Sequence, residues 1–365
     1  MTTIALKQVH ASPSRDAKRA LAVLTAINFM CLYDRVQVSA LIQPIKTEFG
    51  FSDAQMGLIS GTAFGLTYAA AAIPLGWLSD RTNRIKLLAV ALSVWSVMTG
   101  LTAFASSFLQ FALCRVGVAA GESAFTPSAH SILADYFPPE RRGLAIGIET
   151  SGAALGIMSG LAMAGWIASA YGWRAALLAA CVPGVVLALY MVFAIPDPPR
   201  GHLADGSVAA KGPLLSKVTG AYIWLVAAAV CSSIMTTGWT QWLPAFFMRS
   251  YGLSLGTVGA SVGVAAGVGG LIGVILGGYL SAFAAARSAK PPFGWCAAII
   301  AATAPGYALA LWAPTATIAL VSVFIVHVGA LMMPPFIFSA IQSSCDPHFR
   351  ARAGAVALTA VTIFS

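Results

Sequence analysis

Charge is scarce in this chain: Asp, Glu, Lys and Arg together make up 9% of its 365 residues. A soluble domain carries roughly a quarter charged residues to cover its surface, so a fully water-exposed fold is excluded. Cysteine is sparse too. Cys31, Cys114, Cys181, Cys231, Cys296 and Cys345 are scattered singly. With no CxxC pair and no His/Cys cluster, neither a redox couple nor a metal site is expected, and the cysteines read as small apolar packing residues. Walker loop, nucleophile elbow and metal-ligand spacing are all absent. ATP-driven pumping and hydrolysis therefore have no support, no cofactor is expected, and the chain does not read as an enzyme. No secretory signal is expected either. A long polar tail precedes the first apolar run, and Asp34-Arg35 stands where a cleavage site would lie.

What is abundant is apolar. The chain is 58% hydrophobic, with mean hydropathy +0.82. Ten stretches are long enough to cross a bilayer core: 21–42, 55–78, 86–105, 108–134, 143–168, 174–195, 219–247, 255–283, 293–312 and 315–342. An eleventh begins near Ala353 and reaches the last residue, Ser365. Lipid-facing backbone must satisfy its own hydrogen bonds, so these spans are predicted to be helices.

The net charge of +9 suggests a nucleic-acid binder, but its placement argues otherwise. Sixteen of the 21 Lys and Arg lie in the N-terminal tail and alternate loops: Lys7, Arg15, Lys18, Arg19; Arg81, Arg84, Lys86; Arg141, Arg142; Arg200, Lys211, Lys217; Arg287, Lys290; Arg350, Arg352. The opposite loops hold only Lys46, Arg174 and Arg249, and the last two cations, Arg35 and Arg115, fall within apolar spans. This is the positive-inside pattern. It predicts a cytoplasmic N-terminus and no nucleic-acid partner.

One pattern occurs twice. Gly50, Ser52, Gly57, Gly61, Gly65, Gly76, Leu78 and Ser79 return 202 residues later as Gly252, Ser254, Gly259, Gly263, Gly267, Gly278, Leu280 and Ser281. The offset is too long for a solenoid and fits two copies of a half, related by an axis along the membrane normal. The longest polar stretch between spans, 196–218, reads as a cytoplasmic linker joining a bundle at 1–195 to a second at 219–365. The glycines at 57, 61 and 65, and those at 152, 156 and 160, form small-residue stripes suited to close helix packing.

Gly76-Trp77-Leu78-Ser79-Asp80-Arg81-Thr82-Asn83-Arg84-Ile85-Lys86 resembles the loop 2–3 signature of the major facilitator superfamily, G-x-L-x-D-R-x-G-R-R. Asn83 replaces the second glycine, and Asn tolerates a left-handed turn. Arg115, Gly117, Gly121, Glu122 and Pro127 are similar to that family's helix 4 motif. The segments 135–143 and Tyr171-Gly172-Trp173-Arg174 resemble the loop after it and the opening of helix 6. Asp34-Arg35, Gly121-Glu122-Ser123-Ala124 and Trp239-Thr240-Gln241-Trp242-Leu243-Pro244 are similar to spinster-like carriers. The second-half loop Gly278–Phe283 lacks the Asp-Arg pair, and the fifth span lacks the Gly-Pro element of drug/proton antiporters. The resemblance implies an all-α polytopic membrane protein of two pseudo-symmetric six-helix bundles. Twelve helices are usual in that fold, so the expectation is a chain truncated within helix 11.

Ionisable groups inside the membrane mark function by default. Asp34, Arg35, Arg115, Glu122 and Glu149 are the candidates. Arg115 and Glu122 share a helix face two turns apart, and Arg115 is expected to meet Asp34 or Glu149 across the bundle. Low dielectric and a neighbouring cation pull a carboxylate's titration in opposite directions, which suits proton coupling. The resemblance implies such a role for Asp34 and Glu122, with a fixed ion pair as the plainer reading. Trp239, Gln241 and Trp242 are candidate cavity residues or packing residues, and His130 and His327 read as satisfied core histidines. Gly76, Asp80, Arg81, Arg84, Arg141 and Arg142 form the implied cytoplasmic gate, with Asp80 facing the start of helix 11 near Arg352-Ala353-Gly354.

The expectation is a monomeric, proton-coupled secondary carrier in a bacterial inner membrane, surrounded by membrane lipids. It would move an amphiphilic lysolipid-like substrate or an organic anion by alternating access. A symporter of small hydrophilic anions and a non-transporting sensor with a carrier fold remain open.

Overall fold

A computed structural model describes residues 14–200, 220–287, 293–343, 356–357 and 360–361. Lys7, Lys211, Lys217, Lys290, Cys345, Arg350, Arg352 to Gly354 and linker positions 201–218 lie outside the described residues. Among those described, all regular structure is helical: α1 (Arg15–Phe49), α2 (Asp53–Gly57), a π-helical turn (Leu58–Thr62), α3 (Ala63–Arg81), α4 (Arg84–Thr102), α5 (Phe108–Glu122), α6 (Phe125–Tyr136), α7 (Pro139–Tyr171), α8 (Trp173–Ala194), α9 (Gly220–Tyr251), α10 (Leu255–Arg287), α11 (Phe293–Trp312) and α12 (Ala316–Ser343).

All ten predicted spans coincide with these helices. Among the described residues, nine helical segments are long and apolar enough to cross a membrane. The fourth span differs, breaking into α5 and α6 at Ser123-Ala124. Pro127 explains the break: it has no N–H to offer the Ser123 carbonyl four residues back, and its ring crowds that oxygen. Phe193, Trp312 and Ile73 are largely exposed. In water such side chains would drive aggregation, whereas in lipid they form the expected outer surface.

The repeat has a local physical cause. Gly50 (φ 67°) and Gly252 (φ 64°) both take the left-handed conformation that ends a helix, which a side chain would strain. The serine two residues on then caps the next helix in each copy. Ser52 Oγ accepts from Gln55 N at 3.1 Å, and Ser254 Oγ accepts from Thr257 N at 3.3 Å.

The glycine stripes have different fates. Gly152, Gly156 and Gly160 of α7 lie against the carbonyls of Thr25, Phe29 and Tyr33 of α1. Gly259, Gly263 and Gly267 of α10 lie against α7 of the other half, and Gly269, Gly273 and Gly277 against α12. Gly61, by contrast, borders a cavity. A Cβ at Gly152 would overlap the Thr25 carbonyl oxygen. Gly152→Val is therefore expected to cost about 3 kcal/mol or more by forcing α1 from α7. Gly147→Val, which meets open space, leaves packing intact. The melting temperatures of the two purified variants check this contrast.

The core shows how the halves meet. One buried cluster draws on both, joining Leu41, Ile45 and Leu161 to Phe247, Val258 and Val262. Two further clusters are separate: Leu24, Ile85 and Ile132 in the first half, and Leu225, Ile299 and Phe336 in the second. The shared cluster lies at the face opposite the basic loops, and the separate ones lie toward the basic face. The halves thus diverge toward the basic face and leave a cleft between them.

Candidate functional site

A cavity of about 330 Å³ occupies the cleft. The first half contributes Ser39, Phe64, Tyr68, Arg35 and Arg115, and α9 and α12 contribute the facing wall. Both arginines line the cavity, whereas Asp34, Glu122 and Glu149 do not. The cations therefore face the cleft and the carboxylates sit behind them.

Arg35 and Glu122 form the central pair. Arg35 Nε donates to Glu122 Oε2 at 2.6 Å, and Cys31 Sγ donates to the same oxygen at 3.4 Å. Glu122 is fully buried on the last residue of α5, just before the break that Pro127 imposes. Its Oε1 has no hydrogen-bond partner. Arg35 also lies over the rings of Phe64 (5.4 Å) and Tyr68 (4.7 Å), one helical turn apart on α3. Arg115 is buried, sits 4.9 Å from the Phe64 ring centroid, and its Nε lacks a partner. It remains within electrostatic range of Glu122 and Asp34.

The expected partners of Arg115 are engaged elsewhere. Asp34 accepts from Gln37 Nε2 at 2.9 Å and from Thr99 Oγ1 of α4 at 3.5 Å, so it points away from the cleft. Glu149 of α7 accepts from Asn28 Nδ2 at 2.8 Å and lies 3.9 Å from His130 Nε2. It forms a separate polar group with Asn28, not a pair with Arg115. His327 Nδ1 lies 2.8 Å from the Val323 carbonyl, and its Nε2 is 3.4 Å from Thr240 Oγ1.

Gln241 and the two tryptophans occupy different surroundings. Of Trp239, Gln241 and Trp242, only Gln241 lines the cavity. Helical geometry puts residues three apart on one face, and Trp239 and Trp242 both pack into the core shared by the halves. Trp239 meets the Tyr307 ring edge-on at 4.9 Å.

At the basic face, Arg84 is the organising residue of the predicted gate. Its side chain is 1% exposed and pairs with both Asp135 and Asp197. It also donates to Ser131 Oγ at 2.9 Å and to the Pro198 carbonyl at 2.6 Å. Arg200 donates to the carbonyls of Ser79, Asp80 and Thr82, closing the C-terminus of α3. The first residues of the predicted linker are thus seated on the first half. Asp80 stands exposed, and its predicted partner near Arg352 lies outside the described residues. Arg81 stacks on Trp77 at 3.9 Å, Arg142 donates to the Ala134 carbonyl at 2.8 Å, and Gly76 abuts Pro127. Arg141 N closes the first turn of α7 on the Pro138 carbonyl. The partners Asp135, Asp197 and Arg200 escaped sequence reasoning because their pairing spans up to 121 positions. The signal available was an acid in each of two basic loops.

At the opposite face the halves are bridged by charge. Arg249 of α9 donates to both oxygens of Asp53, at 2.8 and 3.0 Å, and to Gln43 Oε1 at 2.8 Å. Lys46 joins Asp53 at 2.7 Å.

Two helical halves around a cavity at mid-depth, with the Arg35–Glu122 pair beside it, define a multi-pass membrane protein. Residues 22–365 match the sequence model of the Major Facilitator Superfamily, and the chain belongs to that family. A solved structure of a bacterial homologue of the human lysosomal transporter Spinster, inward-facing and unoccupied, superposes with TM-score 0.85. It is 27% identical, over 97% of this chain and 81% of that one. An MFS-type efflux pump of Mycolicibacterium smegmatis is 33% identical over 67% of this chain and 58% of its own length. A probable sulfoacetate transporter of Cupriavidus necator is 29% identical over 64% of this chain and 58% of its own. The match thus spans less than two thirds of either curated relative.

Proposed function

We propose that this protein is a proton-coupled secondary carrier that moves an amphiphilic organic anion by alternating access. The observation that carries the reading is the layering of charge: Arg35 and Arg115 face the cavity while Glu122 and Asp34 lie buried behind them. Cargo meets the cations and protons meet the carboxylates. When Glu122 takes a proton, Arg35 loses its charged partner and becomes available to an anion. A change behind the wall is thereby transmitted to the cleft. The aromatic rings of Phe64 and Tyr68 and the apolar wall from α12 suit an apolar body attached to the charged head. A lysolipid-like molecule has that build.

In this reading the bundles 1–195 and 219–365 rock about the cavity, with 196–218 as linker. Arg84, Asp80, Arg81, Arg141 and Arg142 close the cytoplasmic side when the carrier faces outward. The basic face is cytoplasmic, the membrane is a bacterial inner membrane, and the working unit is a monomer. A second reading, a symporter of small hydrophilic anions, is favoured by the unpartnered Nε of Arg115 and by the sulfoacetate transporter among its relatives.

Ligand-induced thermal stabilisation separates the two, because binding to the native state raises the melting temperature by mass action. Lysolipids and long-chain amines are set against small carboxylates, at acid and neutral pH. A pH-dependent shift with an anionic lysolipid, lost in Arg115→Ala, is the expected result. A shift with small carboxylates alone supports the second reading, and a shift with amines alone refutes both.

A further inference from the structure

The cavity holds two buried donors without a partner, one from each half. Arg115 Nε belongs to α5 and Gln241 Nε2 to α9, and both residues line the cavity. A buried donor left unsatisfied is costly, so such groups ordinarily answer to a ligand or to water. The other end of the Gln241 amide is occupied: Ser39 Oγ donates to its Oε1 at 2.8 Å. That bond orients the amide and directs its N–H₂ elsewhere.

Depth agrees as well. Arg115 lies seven residues after Phe108, the outer end of α5. Ser39 and Gln241 each lie ten residues before the outer ends of their helices, Phe49 and Tyr251. At the helical rise these are about 10 and 15 Å deep, so the two donors stand at neighbouring levels of the cavity they both line. Ser39 and Gln241 are also 202 residues apart, the offset of the internal repeat. They are therefore equivalent positions of the two halves, and their hydrogen bond crosses the pseudo-two-fold axis.

We propose that Gln241 is the second pole of the cargo site, its amide donating to the same oxyanion head that Arg115 holds from the opposite half. This rests on the carrier reading above and adds to it a specificity-determining residue. The head must be acceptor-only, a carboxylate, sulfonate or phosphate ester, because donors meet it from both sides. A bound head ties the halves together at the axis, where Ser39 and Gln241 already touch, so cargo occupancy is sensed by both bundles at once. The apolar remainder runs along Leu331 and Pro334 of α12.

The test uses the purified full chain and three probes: decanoate, lysophosphatidylglycerol and decylamine, read by melting-temperature shift and calorimetric affinity. Decanoate and lysophosphatidylglycerol distinguish a carboxylate head from a lipid phosphate. At least one is expected to bind the unaltered protein, and decylamine is not. Gln241→Glu keeps an acceptor for Ser39 but presents oxygen to the cavity. It is expected to lose at least about tenfold in affinity for the oxyanion probe and to gain a response to decylamine. A merely structural role for Gln241 would weaken every probe and invert nothing. Gln241→Met, which has no donors, carries the same loss without added charge and serves where the glutamate variant does not fold. Unchanged oxyanion affinity in both variants, with loss in Arg115→Ala, overturns this inference and leaves the carrier reading standing. No response of the unaltered protein to either oxyanion overturns both.

Discussion

Replacing Glu122 with glutamine is expected to uncouple accumulation from the proton gradient. The side chain keeps its size and an oxygen acceptor for Arg35 Nε, now 2.6 Å from Glu122 Oε2, but it cannot take up and release a proton. One proton moved with each cargo molecule across one pH unit supports roughly tenfold accumulation. In reconstituted vesicles, the variant should equilibrate cargo to a ratio of about one whatever the gradient. Its binding at fixed pH should weaken far less, because Arg35 and Arg115 still line the cavity. Gradient-driven accumulation equal to that of the unaltered protein would remove Glu122 from the coupling step. The companion substitution Asp34→Asn probes a different contact. Asp34 is held by Gln37 and Thr99 on the side away from the cleft, so its loss acts through α4 and not through Arg35.

The second large effect is on stability at the basic face. Arg84→Ala removes the cation that joins Asp135, Asp197 and the Pro198 carbonyl. Breaking a buried ion pair from one side typically costs about 3–5 kcal/mol, because the remaining charge stays desolvated. Arg84→Lys restores the charge but not the planar fork that serves several acceptors at once, so it should recover only part of the loss. Arg81→Ala, three positions before Arg84 in the same signature, is the contrasting case. Arg81 is exposed and only stacks on Trp77, so its removal should leave the melting temperature nearly unchanged. Equal melting temperatures for the Arg84 and Arg81 variants would show that the signature acts through overall basic charge.

Much of this protein is written plainly in its chain. The ten complete predicted spans are helical in the structure, because a backbone in lipid has one economical way to satisfy its hydrogen bonds, while most of the eleventh lies outside the described residues. The repeat also has its cause in local sequence, since Gly50 and Gly252 stop a helix and Ser52 and Ser254 start the next. The candidate charges were visible as exceptions in an apolar background. Their partners were not. Arg115 offered several acids at plausible positions, and sequence spacing along one helix carries no information about which helix faces it.

The sequence by itself determined the membrane class, the positions of ten helical spans, the two-fold repeat and the short set of intramembrane charges. These follow from composition, from the length of apolar runs and from the 202-residue offset of the repeat. Only the tertiary structure decided that Arg35, not Arg115, pairs with Glu122, that Trp239 and Trp242 belong to packing, and that Ser39 meets Gln241 at the axis. Each of these depends on the rotation of one helix about its own axis relative to another. That rotation is set by where glycines let backbones touch, as Gly152 and Gly156 do against α1, and by a proline break such as the one after Glu122.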